Sequence, residues 1–278
     1  AAVNIDSPGC WKATEYDDVM WMAEAGDLAR DAIEDATGEE ARGRRPVRAG
    51  DYSFDQVGLS SFFMLLSNIP ADERERLGFY PVGGCGGNVA WHTEDDTLEV
   101  ADRENLERDL RVYVTALARV LNARILPLDF RATAGELREA LEEYREAAGE
   151  LLDPPLEELE ALEEELRWLY GEIEPGGSGL APSERSGGPS ADAVNRTLRE
   201  LSRILVPLLH AEGDRFHHDP ALPREPVPRL ADAARLPEVE ESDPETAPFL
   251  RARLRREANH VANRIHEAAR EIRRLRSG

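Results

Sequence analysis

His92 is the only histidine before residue 210, and it stands in a run that suits metal ligation: Trp91-His92-Thr93-Glu94-Asp95-Asp96-Thr97-Leu98-Glu99-Val100-Ala101-Asp102. Neutral imidazole is a good zinc ligand, and a carboxylate such as Asp96 close by orients the ring and fixes its tautomer. The plainer reading is a loop histidine ahead of a helix that begins near Arg103. A second candidate ligand lies upstream. Residues 2–5 form a short, largely apolar run that stops at Asp6 and breaks on Pro8-Gly9. That places the Asp6 carboxylate at the carboxyl end of a strand, where open α/β sheets build their sites.

These residues need elements to hold them. Ser60 to Leu66, almost continuously apolar, reads as a buried strand fed by the segment Arg48 to Leu59. Tyr16 to Ala36 has the spacing of an amphipathic helix. Arg103 to Leu121 is a second helix, with Leu106, Leu110, Val114, Leu117 and Leu121 on one face. Residues 70–90 read as an insertion over the site, with Gly83 to Gly87 as its lead into His92. Arg42, Arg44, Arg45 and Arg48 offer positive charge for a substrate carboxylate, or simply balance Glu39 and Glu40 in a solvated loop.

Three segments in this order resemble the co-catalytic zinc exopeptidases, the family of bacterial leucyl aminopeptidases, glutamate carboxypeptidase and the catalytically silent transferrin receptor. They are Asn4-Ile5-Asp6, Arg48 to Leu59, and His92 to Asp102. The resemblance covers residues 1 to about 122. It implies an α/β fold, the C-terminal part of a mixed sheet with flanking helices, and a site for two zinc ions with Asp6 and His92 as ligands. Arg48, Asp51 and Asp96 are placed in the second shell or on the substrate side. Trp91 replaces the family's tyrosine, whose hydroxyl donates to the oxyanion of the tetrahedral intermediate. An indole N–H donates from a different place, and packing beside the metal pocket is the alternative role for Trp91. The family's His-x-Asp and Glu-Glu motifs, which carry the bridging ligand, the general base and another ligand, are not in this sequence. The expectation is therefore a C-terminal part of a longer zinc peptidase acting on peptides or peptide-like amides, with no turnover by this chain alone. A non-catalytic receptor or scaffold of the same fold is the alternative.

The 278 residues carry 56 acidic and 34 basic side chains, a net charge of −22, and Lys12 is the only lysine. Such a surface repels nucleic acid and anionic lipid, so neither nucleic acid nor a membrane is an expected partner. The excess of carboxylates suits a halophile, since molar salt shortens the Debye length to ~3 Å and screens the self-repulsion. A cytoplasmic location is expected, with Cys10 and Cys85 as unpaired thiols rather than a disulfide.

From Leu137 onward the pattern becomes helical. Leu156, Leu159, Leu162, Leu166, Leu169 and Ile173 form one stripe. Val194, Leu198, Leu201, Leu205 and Leu208 form another, and Leu254, Val261, Ile265, Ala268, Ile272 and Leu275 a third. The chain thus divides into a peptidase part, 1–130, and an all-α helical bundle, 131–278, with a flexible linker at 175–190. Residues 136–174 hold fifteen acidic residues and three arginines, a net of −12; residues 251–278 hold nine arginines and three glutamates, a net of +6. Opposite faces should meet, within one chain or across a homodimer. The layout from Asn195 to Pro220 is similar to the helical dimerisation domain of the same family, which also implies a homodimer. His217-His218-Asp219 reads as a structural turn, because adjacent side chains diverge and no third ligand lies nearby in sequence.

Overall fold

A computed structural model describes residues 1–6, 8–46, 54–63, 65–80, 88–173, 188–217, 219–220 and 222–277. It is 64% helical with 5% strand, which corrects the expected mixed α/β sheet. Among the described residues only two sheets form, each of two strands that are two residues long. Strand β1 (Ala2–Val3) runs parallel to β4 (Ser61–Phe62), with Ala2 opposite Ser61 and Val3 opposite Phe62. Strand β2 (Val19–Met20) runs parallel to β3 (Gly43–Arg44).

The physical reason for so little strand is visible at Phe63. Its φ of 64° leaves the extended region immediately after β4, so the apolar run from Ser60 to Leu66 cannot continue as one strand. Phe63 is nevertheless fully buried, edge-on to Tyr113 at 5.7 Å, so hydrophobicity marked the core correctly and the element wrongly. The helix expected over Tyr16–Ala36 also starts late. Val19, Met20 and Met22 are buried in extended chain, and α1 occupies only Gly26–Thr37.

The chain forms two compact units, residues 1–47 with 60–123 and residues 48–59 with 124–278. In the first, α2 (Ala71–Leu77) lies within the region expected to be an insertion, and α1 packs on α3 (Arg103–Asn122). Arg119 of α3 bridges Asp31 at 3.3 Å and also reaches Asp35 of α1. Helix α3 buries Asn105, Asp109, Val112, Tyr113 and Ala116. The one-face stripe of Leu106, Leu110, Val114, Leu117 and Leu121 is at least partly open to solvent, with Val114 64% and Leu121 80% exposed.

The second unit is helical: α4 (Phe130–Ala148), α5 (Asp153–Ile173), α6 (Ala191–His210), α7 (Leu236–Ser242) and α8 (Ala247–Ser277). Here the stripes are covered. Leu159, Leu162, Leu166 and Leu169 of α5 are buried, as are Leu254, Val261, Ile265 and Ile272 of α8, and these two helices pack along their length. The segregated charges meet inside the unit. Glu165 of α5 is buried between Arg273 and Arg276 of α8, at 2.9 and 3.1 Å, and Glu158 lies 3.0 Å from the His266 ring. Glu163 takes both arms of Arg138 from α4 at 2.8 Å.

The Phe54–Leu59 segment belongs to this unit although it lies in sequence between the two segments of the first unit. Gly58 has a φ of 74°, and a Cβ there would sit 2.3 Å from the Cα of Arg203, so only glycine allows the approach. Its carbonyl accepts the Ser202 hydroxyl at 2.7 Å. No helix among the described residues is long and apolar enough to cross a membrane.

Candidate functional site

The turn after Asp6 and the His92 to Asp102 run are hydrogen-bonded to each other. Cys10 and Ala101 form an antiparallel bridge, the Trp11 N–H donates to the Val100 carbonyl at 3.0 Å, and the Asp102 N–H donates to the Gly9 carbonyl at 2.8 Å. Asn105 adds a side-chain bond to the Cys10 carbonyl at 2.9 Å. Between the two segments lies a cavity of about 430 Å³ lined in part by Pro8, Gly9, Trp91, Asp96, Thr97 and Leu98.

The His92 loop is a chain of turns. The Trp91 N–H donates to the Asn88 carbonyl at 3.0 Å, Thr93 N–H to Ala90 at 3.0 Å, and Asp96 N–H to Thr93 at 3.2 Å. The Thr93 hydroxyl closes the first turn by donating to the Ala90 carbonyl at 2.7 Å. His92 itself has a φ of 61°, a conformation that histidine adopts more readily than bulky or branched residues. Its ring is stacked on Trp91 with centroids 3.7 Å apart and 21° between planes, and both side chains are exposed. Asp102 serves as the N-cap of α3, accepting the Asn105 N–H at 2.8 Å.

The structure therefore gathers Trp91 and Asp96 at one cavity with the turn that follows Asp6. Asp6 is exposed and lies near Tyr113, whose phenol it helps to push upward in pKa. Arg48 and Asp51 lie outside the described residues. Among the described residues no group of three or more His, Cys, Asp or Glu side chains is arranged to hold a metal ion. Asp6 and His92 are suitable donor types for zinc, but the described donor set does not complete a four-coordinate site. Cys10 is buried and disulfide-bonded, which corrects the expected free thiol; Cys85 lies outside the described residues. The carboxylate of Asp219 accepts the N–H groups of Glu212 and Gly213 at 2.8 and 2.7 Å, so it ties a turn; His218 is outside the described residues.

Sequence reasoning missed the residue that anchors this region. Asp109 of α3 is fully buried, and its carboxylate accepts the Gly9 N–H at 2.9 Å, the Ser67 hydroxyl at 2.7 Å and the Tyr16 hydroxyl at 3.2 Å. Arg108 lies 3.8 Å away and also donates to the Tyr16 hydroxyl at 3.0 Å. Burial, then the Asp109 charge, pushes the Tyr16 phenol well above its usual range, and the same two causes, with Asp6, act on Tyr113. The Tyr113 hydroxyl is buried and accepts or donates no hydrogen bond among the described residues. A buried carboxylate with three donors holds the turn at Pro8 and Gly9. Gly9, with a φ of 75° and no room for a Cβ against Leu106, lets that turn lie close to α3. The signal was the polar pair Asn105 and Asp109 at a spacing of four on a helix whose leucines drew attention to the neighbouring face. In comparison with known proteins, the chain matches no family model and no curated protein.

Proposed function

We propose that these residues are part of a zinc exopeptidase in which Asp6 and His92 are metal ligands. Trp91 would wall the adjoining cavity and Asp96 would sit in the outer shell or on the substrate side. The single observation that carries the reading is the hydrogen-bonded union of the Asp6 turn with the His92 run, through Cys10 to Ala101 and Gly9 to Asp102. Two segments far apart in sequence, each containing one candidate ligand, are bound together at residues 9–11 and 100–102 beside a cavity lined by Trp91 and Asp96, and neither Asp6 nor His92 is among its lining residues. Arg48 and Asp51 keep their proposed places on the substrate side by the sequence resemblance alone. The further ligands and the general base belong, on this reading, to sequence beyond these 278 residues, so the chain by itself turns over no peptide. Zinc, when bound, supplies Lewis acidity toward the scissile carbonyl and its attacking water.

The test is metal content and turnover of the full-length protein. His92→Ala and Asp6→Ala should each lower bound zinc and abolish hydrolysis of aminoacyl-anilides or N-acylated dipeptides while leaving the circular dichroism spectrum unchanged. Unaltered activity with zinc retained refutes the ligand assignment. An upstream reading frame without His-x-Asp and Glu-Glu motifs refutes the peptidase. The stacking of Trp91 on His92 favours a second reading, a scaffold of the same ancestry in which the imidazole is a packing group. About two zinc ions per full-length chain support the enzyme, and none supports the scaffold.

A further inference from the structure

We propose that the helical unit binds a small organic anion, a carboxylate with a short apolar body, in the arginine-lined groove between α6 and α8. The inference is independent of the zinc reading. The groove encloses about 490 Å³, within the range of small-molecule sites. Its apolar wall is Val57, Ile204, Pro207 and Leu208, and five arginines from four segments line the rest: Arg203, Arg215, Arg229, Arg264 and Arg270.

Which of those guanidinium groups are available decides the argument. Arg203 is paired with Glu200, Arg264 with Glu267, and Arg229 with Asp214 and Glu257 at 3.2 and 3.1 Å. The remaining carboxylate of the lining, Glu271, bonds Arg274, which is not part of the lining, at 2.5 Å. Among the described residues Arg215 and Arg270 have no carboxylate within bridging distance, although the chain as a whole carries a net charge of −22. Unpaired arginines also stand on open helix faces, as Arg196 and Arg199 do, where water solvates them. Arg215 and Arg270 differ in lining one concavity beside buried aliphatic side chains, where a ligand carboxylate gains charge-assisted bonds and its body gains apolar contact.

The five lining arginines stand against four lining carboxylates, Glu200, Asp214, Glu267 and Glu271, a formal balance of +1 in a chain of net charge −22. His260 lines the groove, and its pKa is held below the usual value by burial first and then by Arg229, with Arg264 acting in the same direction against Glu257 and Asp214. A neutral imidazole at neutral pH adds a hydrogen-bonding group without altering the charge balance. The Gln56 amide donates to the His217 carbonyl at 3.0 Å, which fixes the turn that carries Arg215.

The experiment is calorimetric titration of the 278-residue chain with octanoate and, separately, with inorganic phosphate. Saturable octanoate binding is expected, weakened about tenfold or more in Arg215→Gln/Arg270→Gln and weakened progressively as sodium chloride rises toward about 1 M. Arg215→Lys/Arg270→Lys should restore part of the loss, and both variants should keep the parent circular dichroism spectrum. Absence of saturable octanoate binding, or binding that survives the double glutamine change, overturns the proposal. Phosphate binding as tightly as octanoate overturns the assignment of an apolar body.

Discussion

Helices α3 and α5 are of nearly equal length and carry the same leucine period, yet they end in opposite circumstances. In α5 the stripe from Leu156 to Leu169 is sealed by α8, and the acidic flank of the helix meets the basic residues of α8 at Glu165 and Glu158. In α3 the leucines stay at least partly open, and the covered face is the one that carries Asn105, Asp109 and Tyr113. The period of a helix says that it has an apolar side. What lies opposite decides whether that side is the inside. Part of the charge complementarity between residues 136–174 and 251–278 is met within one chain, at Glu165 with Arg273 and Arg276 and at Glu158 with His266.

The contrast is broken most directly by truncating matched leucines. Leu166→Ala should cost about 2–5 kcal/mol in urea unfolding, because it opens a cavity beside α8, whereas Leu121→Ser in α3 should change stability by no more than about 0.5 kcal/mol. Equal losses would mean that the α3 stripe is covered in solution. Replacing Asp109 tests whether the polar face of α3 is its structural one. Asp109→Ala strands the donors of Gly9, Ser67 and Tyr16, and a loss of about 3 kcal/mol is expected, with faster amide exchange at Gly9. Unchanged exchange there would remove Asp109 as the anchor of the Asp6 turn.

In the helical unit Gly58→Ala forces a Cβ against Arg203 at positive φ, and about 1–3 kcal/mol should be lost. A neutral outcome would show that the Phe54–Leu59 segment is not seated on α6. The smallest effect is the pH response of His260. Its folded pKa lies below the ordinary value of about 6.5, so its contribution is fully present above that value. As pH falls toward the folded pKa the unfolded chain binds the proton first, and stability declines. His260→Gln should flatten this part of the stability profile relative to the parent, and an unchanged slope would count against the assignment.

The helical unit was legible because its signals agree. Leucine period and charge segregation both point to packed helices, and α4, α5, α6 and α8 follow. In the first unit they conflict. Ser60 to Leu66 reads as strand by composition, but Phe63 turns the backbone after two residues, and no residue type announces a positive φ at a phenylalanine. At the candidate site the helix beginning near Arg103 and the run containing His92 were readable. The Asp109 carboxylate was not, since a buried acid depends on donors from Gly9, Tyr16 and Ser67 that lie 42 to 100 residues away.

The seating of Gly58 on α6 has a consequence for synthesis. Its carbonyl bonds to a serine 144 residues further along the chain. At the usual pace of translation, about 5–20 residues per second, the Phe54–Leu59 turn leaves the ribosome roughly 7 to 30 s before its partner helix exists. During that interval residues 60–123, the second segment of the first unit, emerge while the Phe54–Leu59 loop still lacks its partner. The two units are therefore interleaved in time, and a stop placed after the first would release a chain with its Gly58 turn permanently without a seat.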